Sequence, residues 1–203
     1  MKSRIVVAVF MGLSGSGKDT QVVLLKEFLE KKHGLGSVLY VYTGEVLRNM
    51  IKRGLYLSKL TDEKVMRVGA KAPDFLAIWS WTHEIIEHFT GKEHLLFSSS
   101  PRTEIEARVM DDLVDFLGIS PYYPIFLKVE RDEAFRRLKE RGRADDTDEV
   151  INNRLDFFEV HVGPAVEYYR TKSLNRLIEI DGNSRDPQKI HQNILKALGF
   201  ENK

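Results

Sequence analysis

Ile5-Val-Val-Ala-Val-Phe-Met-Gly-Leu-Ser-Gly-Ser-Gly-Lys-Asp-Thr-Gln21 is a β-branched, apolar run that breaks into glycines and restarts as an amphipathic segment. It reads as strand, phosphate loop and helix. Without Cβ atoms at Gly12, Gly15 and Gly17 the backbone can curl with its N–H groups pointing inward, and a helix starting near Lys18 adds its positive N-terminal end. Such a loop holds polyphosphate. Lys18 supplies the mobile cation that follows the β- and γ-phosphates, and Thr20 a hydroxyl donor in the first helical turn. The spacing Gly12-x4-Gly17-Lys18 fits the phosphate-loop pattern, but the next position, ordinarily Ser or Thr and a magnesium ligand, is Asp19.

The chain of 203 residues is long enough for one domain with a sizeable core. Its 31 basic and 30 acidic residues leave a net charge of +1, which argues against a general nucleic-acid or membrane-surface binder. The absence of cysteine excludes disulfides, thiolate catalysis and cysteine-ligated zinc. Met1-Lys-Ser-Arg4 leads directly into the first strand, with neither a cleavable signal nor a membrane-length apolar run, so the reading is a soluble cytoplasmic protein. No long exposed apolar stripe is visible, and a monomer is expected.

Outward from the loop, the helix carrying Val22, Val23, Leu24, Leu25, Phe28 and Leu29 stops at Lys31-Lys-His-Gly-Leu-Gly36, and Ser37-Val-Leu-Tyr-Val-Tyr42 forms a second strand. From Thr43 to about Ala72 the chain makes a helical excursion, with a helix opened by Thr43-Gly44-Glu45 and another capped by Leu60-Thr61-Asp62-Glu63. Ala72-Pro73-Asp74 starts a longer helix whose Phe75, Trp79 and Trp81 read as packing residues. His94-Leu-Leu-Phe97 and Pro124-Ile-Phe-Leu-Lys-Val129 are strands three and four. A basic helix runs from Asp132 to Arg141, one long helix from Asp148 to about Lys172, and Leu177-Ile-Glu-Ile180 is the last strand. Alternating strands and helices predict an α/β fold: a five-stranded parallel sheet with helices on both faces. Ligands of such sheets sit beyond the C-terminal strand ends, where the phosphate loop, Thr43, Pro101-Arg102 and the arginine-rich stretch all fall.

Gly12-Leu-Ser-Gly-Ser-Gly-Lys-Asp-Thr-Gln21, Thr43-Gly-Glu-Val-Leu-Arg48, Pro101-Arg-Thr103 and Arg141-Gly-Arg-Ala-Asp-Asp146 with Arg154 occur in the order and at the separations of the adenylate kinases, which the chain resembles over nearly its whole length. The resemblance extends to the nucleoside monophosphate kinases generally. It implies one kinase domain, with a core of residues 1–42, 73–139 and 147–203, a monophosphate-binding insert of 43–72 and a short lid of 140–146. It also implies ATP binding by Gly12, Ser14, Gly15, Ser16, Gly17, Lys18, Asp19, Thr20 and Arg137, and monophosphate binding by Thr43, Gly44, Arg48, Ala72, Arg102 and Glu106. By the same resemblance Lys18, Arg102, Arg137, Arg141, Arg143 and Arg154 act on the phosphoryl group in flight, Mg²⁺ accompanies ATP, and the short cysteine-free lid carries no zinc. Phosphoryl transfer between polyanions needs charge neutralisation more than covalent chemistry, and planar guanidinium forks match phosphate oxygens. Arg136 and Lys139 read as a solvated helix face. His83 and His161 are not needed by this chemistry, and Asp145 and Asp146 read either as a turn with the acidic start of the next helix or as residues that orient the lid arginines.

Three positions depart from the family pattern. The aspartate that holds water around magnesium falls on Ser98, and its following glycine and phenylalanine on Ser99 and Ser100. Asp19 takes the loop position next to Lys18, and the hypothesis is that its carboxylate replaces the one lost from strand three. The glutamine that reads adenine falls on Glu106, whose carboxylate accepts hydrogen bonds only. That suits the exocyclic amine of adenine or cytosine, or the paired N–H donors of guanine, unless Glu106 is a solvent-facing helix residue. Transfer of the γ-phosphoryl of ATP to AMP is the expected reaction. A CMP or GMP kinase, or a nucleotide-binding homologue that turns over little because of Ser98, stays open. Thymidylate kinases share a similar loop but match Pro101-Arg102-Thr103 and the Gly-Arg-x-Asp-Asp turn less well.

Overall fold

In the computed structural model, which describes residues 5–68, 70–142 and 147–200, the opening apolar run is strand β1 (Val7–Gly12) at the centre of the sheet. β2 (Val38–Tyr42), β3 (His94–Ser98), β4 (Tyr122–Lys128) and β5 (Ile178–Asp181) complete it in the order β2-β3-β1-β4-β5. Every neighbouring pair is parallel, with Val7 in register with Leu95 on one side and Tyr122 on the other. The five parallel strands, with helices between them, are those read from the sequence. β1 is buried throughout, which is why its sequence lacks polar alternation.

Its side chains nevertheless divide by parity. Val7, Val9 and Met11 join Leu95, Phe97 and the inner faces of α4 (Asp74–His88), α5 (Glu104–Phe116) and α8 (Gly163–Thr171). Ala8 and Phe10 face α1 (Lys18–His33) and α9 (Pro187–Ala197). Trp81 is wholly buried in the first of these layers, whereas Phe75 is 61% exposed and takes no part in packing. Among the described residues no helix is long and apolar enough to cross a membrane.

Tyr122 and Tyr169 bring their hydroxyls to 2.7 Å within the first layer, and Tyr169 donates onward to the Ala107 carbonyl at 3.3 Å. Burial pushes both phenols well above their ordinary pKa. Tyr169→Phe strands the Tyr122 hydroxyl and is expected to cost about 1–3 kcal/mol of unfolding free energy. Urea denaturation checks this; a loss below about 0.5 kcal/mol, the range of neutral surface changes, contradicts it.

The excursion after β2 holds α2 (Thr43–Lys52) and α3 (Tyr56–Thr61), the latter running on into a π-helical turn, Asp62–Met66. Leu60 and Thr61 therefore lie inside a helical stretch that starts at Tyr56, where the sequence suggested a cap. Leu47, Val65, Ala72, Leu76 and Ala77 give the excursion a small core of its own. The predicted long helix from Asp148 is likewise two helices, α7 (Asp148–Phe157) and α8, joined by a π turn over Phe158–Val162 in which the Gly163 N–H reaches back five residues to the Phe158 carbonyl. Pro164 at the start of α8 has no N–H to give, so the ladder is already interrupted at this point.

Candidate active site

β1 leads to β2 at one edge of the sheet, and β3 crosses over β1 to β4 on the other side, so the C-terminal end of β1 lies where the chain's direction across the sheet reverses. A cleft of about 450 Å³ opens there. The loop after β1 contributes Gly12, Ser14, Gly15, Lys18 and Asp19; the loop after β3 contributes Ser99, Pro101 and Arg102; Arg141 ends α6 (Arg131–Arg141) and Arg154 comes from α7. Four sequence-distant cations thus share one wall system, and Asp19 is the single acid among the described lining residues.

The loop is pressed against α6 as closely as backbone permits. Gly15 has φ +83°, and a Cβ there would lie 2.7 Å from the Ala134 carbonyl oxygen and 2.9 Å from Leu138 Cγ. Any side chain at this position both clashes and strains the turn. Lys18 Nζ bridges the loop to the Leu13 carbonyl at 3.1 Å. Loss of hydration lowers its pKa to about 8; Asp19 opposes that fall and Arg102 adds to it. The Ser16 hydroxyl is buried within the curl and has no hydrogen-bond partner among the described residues.

Ser98 is fully buried at the end of β3 and donates its hydroxyl to Asp19 Oδ1. The carboxylate of the phosphate loop therefore reaches the strand end where the family pattern has an aspartate. Among the described residues no cluster of three or more His, Asp or Glu comes together. A donor set of one carboxylate suits Mg²⁺, which keeps most of its waters and takes its remaining ligands from substrate phosphates. Ser99, standing where the family has glycine, has φ +71°, a left-handed conformation uncommon outside glycine. Its carbonyl accepts from Arg102 Nε at 2.8 Å, so the strained turn holds the guanidinium at the cleft.

At the neighbouring edge, Thr43 Oγ1 lies 2.9 Å from Ser100 Oγ in a buried contact that ties the start of α2 to the loop after β3. Arg48 stacks 5.5 Å from the Tyr42 ring centre, and Gly44 leaves room for the pair, since a Cβ there would sit 3.3 Å from Tyr42 Cζ. Thr43, Gly44 and Arg48 stand beside the cleft rather than in its wall.

Four expectations need correcting or bounding. Ala72 packs its methyl into the core of the excursion with Leu76 and Ala77 instead of facing the cleft. Glu106 is not solvent-facing: it is 1% exposed, and burial raises its pKa to about 7 against the pull of Arg102. Arg137 does not line the larger cleft but stays against the phosphate loop, its Nη1 donating to the Ser16 carbonyl at 3.5 Å. It is held by Glu133 at 2.7 Å and by the carbonyls of Gly182 and Ser184 at 2.8 and 3.2 Å, and it lines a second hollow of about 310 Å³ with Ser16, Gly17, Thr20 and Arg185. Arg143, with Asp145 and Asp146, lies outside the described residues. Arg136 pairs with Glu133 and Glu140, and Lys139 with Asp148, as a helix surface does. The sequence reading missed the apolar wall formed by Phe157, Phe158 and Val162, and by Val68 and Ala70 opposite. Four of these five lie in or within two residues of the two π turns, which periodicity alone does not reveal.

A family model described as adenylate kinase matches residues 10–174 of the chain. The chain belongs to the adenylate kinase family. Its similarity to individual members extends along most of the sequence. It is 32% identical over 191 residues to the adenylate kinase of Azobacteroides pseudotrichonymphae genomovar. CFP2, covering 92% of this chain and 94% of that one. It is 33% identical over 175 residues to adenylate kinase 1 of Synechocystis sp., covering 86% and 88%, and 29% identical over 196 residues to the adenylate kinase of Thermus thermophilus, covering 95% and 96%. Adenylate kinase family enzymes are nucleoside monophosphate kinases, which move phosphoryl groups between ATP and a nucleoside monophosphate. The cleft has the cationic lining that this class of reaction requires.

Proposed function

We propose that this enzyme transfers the γ-phosphoryl of ATP to AMP, producing two molecules of ADP. What carries the reading is the convergence of Lys18, Arg102, Arg141 and Arg154 on one cleft at the C-terminal end of β1. A phosphate oxygen of the acceptor attacks Pγ while the bond from Pγ to the β–γ bridging oxygen breaks, and the negative charge spreads over oxygens that guanidinium and ammonium groups can meet. Gly12, Ser14, Gly15, Ser16, Gly17, Lys18 and Thr20 hold the donor phosphates. Arg137 serves the donor's nucleoside end, in keeping with its place in the second hollow. Arg48 and Arg102 grip the acceptor phosphate, Thr43 and Gly44 shape its entry, and Glu106 faces its base. Arg141, Arg143 and Arg154 close over the transferred group with the lid and exclude water.

Asp19, oriented by the hydroxyl of Ser98, is the residue that would hold the water shell of Mg²⁺. Bound with ATP, Mg²⁺ supplies charge neutralisation on the β- and γ-phosphates. We take the enzyme to be a cytoplasmic monomer.

A second reading, GMP as acceptor, is favoured by one observation: Glu106 is an acid where an amide would read adenine. Coupled ADP formation with AMP, CMP, GMP, UMP and dTMP tests both. Turnover with AMP at several times the efficiency of the others is expected. Turnover with GMP alone sinks the AMP assignment, and binding of ATP without turnover on any acceptor sinks the kinase reading.

A further inference from the structure

Glu106 stands in the first turn of α5, four residues past the cleft-lining Arg102, and its Oε2 has no hydrogen-bond partner among the described residues. Its surroundings come from three directions. Arg102 and Thr103 belong to the approach to α5, Lys71 and Asp74 to the start of α4, and Tyr169 faces it from α8. Lys71 is bonded to Asp74 at 2.5 Å, and Asp74 accepts from Thr103 at 3.3 Å, so the nearest cation and anion on the α4 side engage each other. What remains for Glu106 is its own burial, the charge of Arg102 and a hydrogen bond from the Arg102 backbone N–H, which leaves Oε2 as the unpartnered oxygen. A buried oxygen without a partner is costly enough to point to one that arrives with a ligand.

We propose that Glu106 selects the acceptor base through its own protonation state, the neutral carboxyl pairing with adenine and the carboxylate with guanine. The neutral group offers one O–H donor and one carbonyl acceptor, matching the N1 lone pair and N6 amine of adenine. The ionised group offers two acceptors, matching the N1–H and N2–H donors of guanine. This rests on the kinase reading above and adds that acceptor choice follows pH. The proton bookkeeping is definite. Above about pH 7, where the group is ionised despite its burial, AMP binding takes one proton from the buffer onto Glu106. Below that point GMP binding releases one.

Titration calorimetry of AMP and GMP with the full chain tests this, run from about pH 6 to about pH 8 in buffers of different ionisation enthalpy, beside Glu106→Gln. In the native protein the AMP-to-GMP affinity ratio falls about tenfold for each pH unit above about 7. Proton uptake accompanies AMP at the high end, and proton release accompanies GMP at the low end. Titration of the ligand phosphate and of Lys18 is common to both ligands and both proteins and cancels from that ratio. With Glu106→Gln the ratio is flat. A ratio that is flat in the native protein, or that varies identically in the variant, overturns the inference and leaves the kinase reading standing; failure of every monophosphate to bind the native protein overturns both. Should Glu106→Gln fold poorly, the opposite proton signs of AMP and GMP in the native protein decide the matter alone.

Discussion

Arg102→Ala is expected to lower kcat with the preferred acceptor by about a hundred- to a thousand-fold, equivalent to about 2.7–4 kcal/mol of barrier. The side chain lines the cleft opposite Lys18, close enough to depress the lysine's pKa, so the two cations share one stretch of anion. Its Nε is already committed to the Ser99 carbonyl, which leaves the terminal nitrogens of the guanidinium to reach oxygens of the acceptor or of the group in flight. Arg102→Lys separates charge from shape. A lysine keeps the positive charge but lacks the planar fork and the anchor on Ser99, and it should recover only a minor part of the rate. The effect should also couple to Glu106, because Arg102 is the charge that holds its pKa down. In Arg102→Ala the carboxyl stays neutral to higher pH, so combining this change with Glu106→Gln should give less than the sum of the single effects on AMP binding. Steady-state kinetics on the native protein and these four variants measure all of this. A loss of less than about tenfold in Arg102→Ala would remove the residue from the catalytic set.

The parts of the fold that were legible in advance are those written in consecutive residues. β1, the glycine loop and α1 are local, and five apolar runs separated by helical patterns leave little freedom in a parallel sheet. From that topology alone the ends of β1 and β3 had to meet, which is why Lys18 and Arg102 were expected together and are together. The π turns were not legible in the apolar spacing of these short segments; only Gly163-Pro164 marked one of them. The side that Arg137 takes was not legible because a basic helix next to a phosphate loop has two sides; Glu133 and the carbonyls of Ser16, Gly182 and Ser184 hold this arginine at the second hollow. For Glu106, expected to face the acceptor base, the solvent-facing alternative falls with its burial. An acid in a first helical turn suits the helix dipole and suggests solvent, yet its position four residues before Met110 and eight before Val114 lies on the stripe that faces the core. Its burial followed from spacing; its missing partner did not, since that depends on Lys71 and Asp74 satisfying each other across α4 and α5.

Asp19→Ala should reduce magnesium-supported turnover by about 10–100-fold and raise the Mg²⁺ concentration needed for half-maximal rate, the usual penalty for losing a group that orients a metal's ligands. An anion beside Lys18 in a cleft built for polyphosphate repels the substrate unless a cation lies between them, so its presence needs a compensating role. The hydroxyl of Ser98 supplies the geometry: by donating to Oδ1 it fixes the carboxylate at the end of β3. If charge at that point is what matters, its route along the chain does not. The double variant Ser98→Asp with Asp19→Gly moves the carboxylate from the loop to the strand and should restore most of the activity lost in Asp19→Gly. Ser98→Asp alone crowds two carboxylates into one space and should weaken ATP binding at low Mg²⁺. Manganese-nucleotide binding, followed by the paramagnetic signal of the bound ion, reads the same ranking without turnover. Unchanged metal dependence in Asp19→Ala, with ATP binding tightened by loss of the negative charge, would mean that Asp19 merely repels and that the cations of the cleft carry the phosphates unaided.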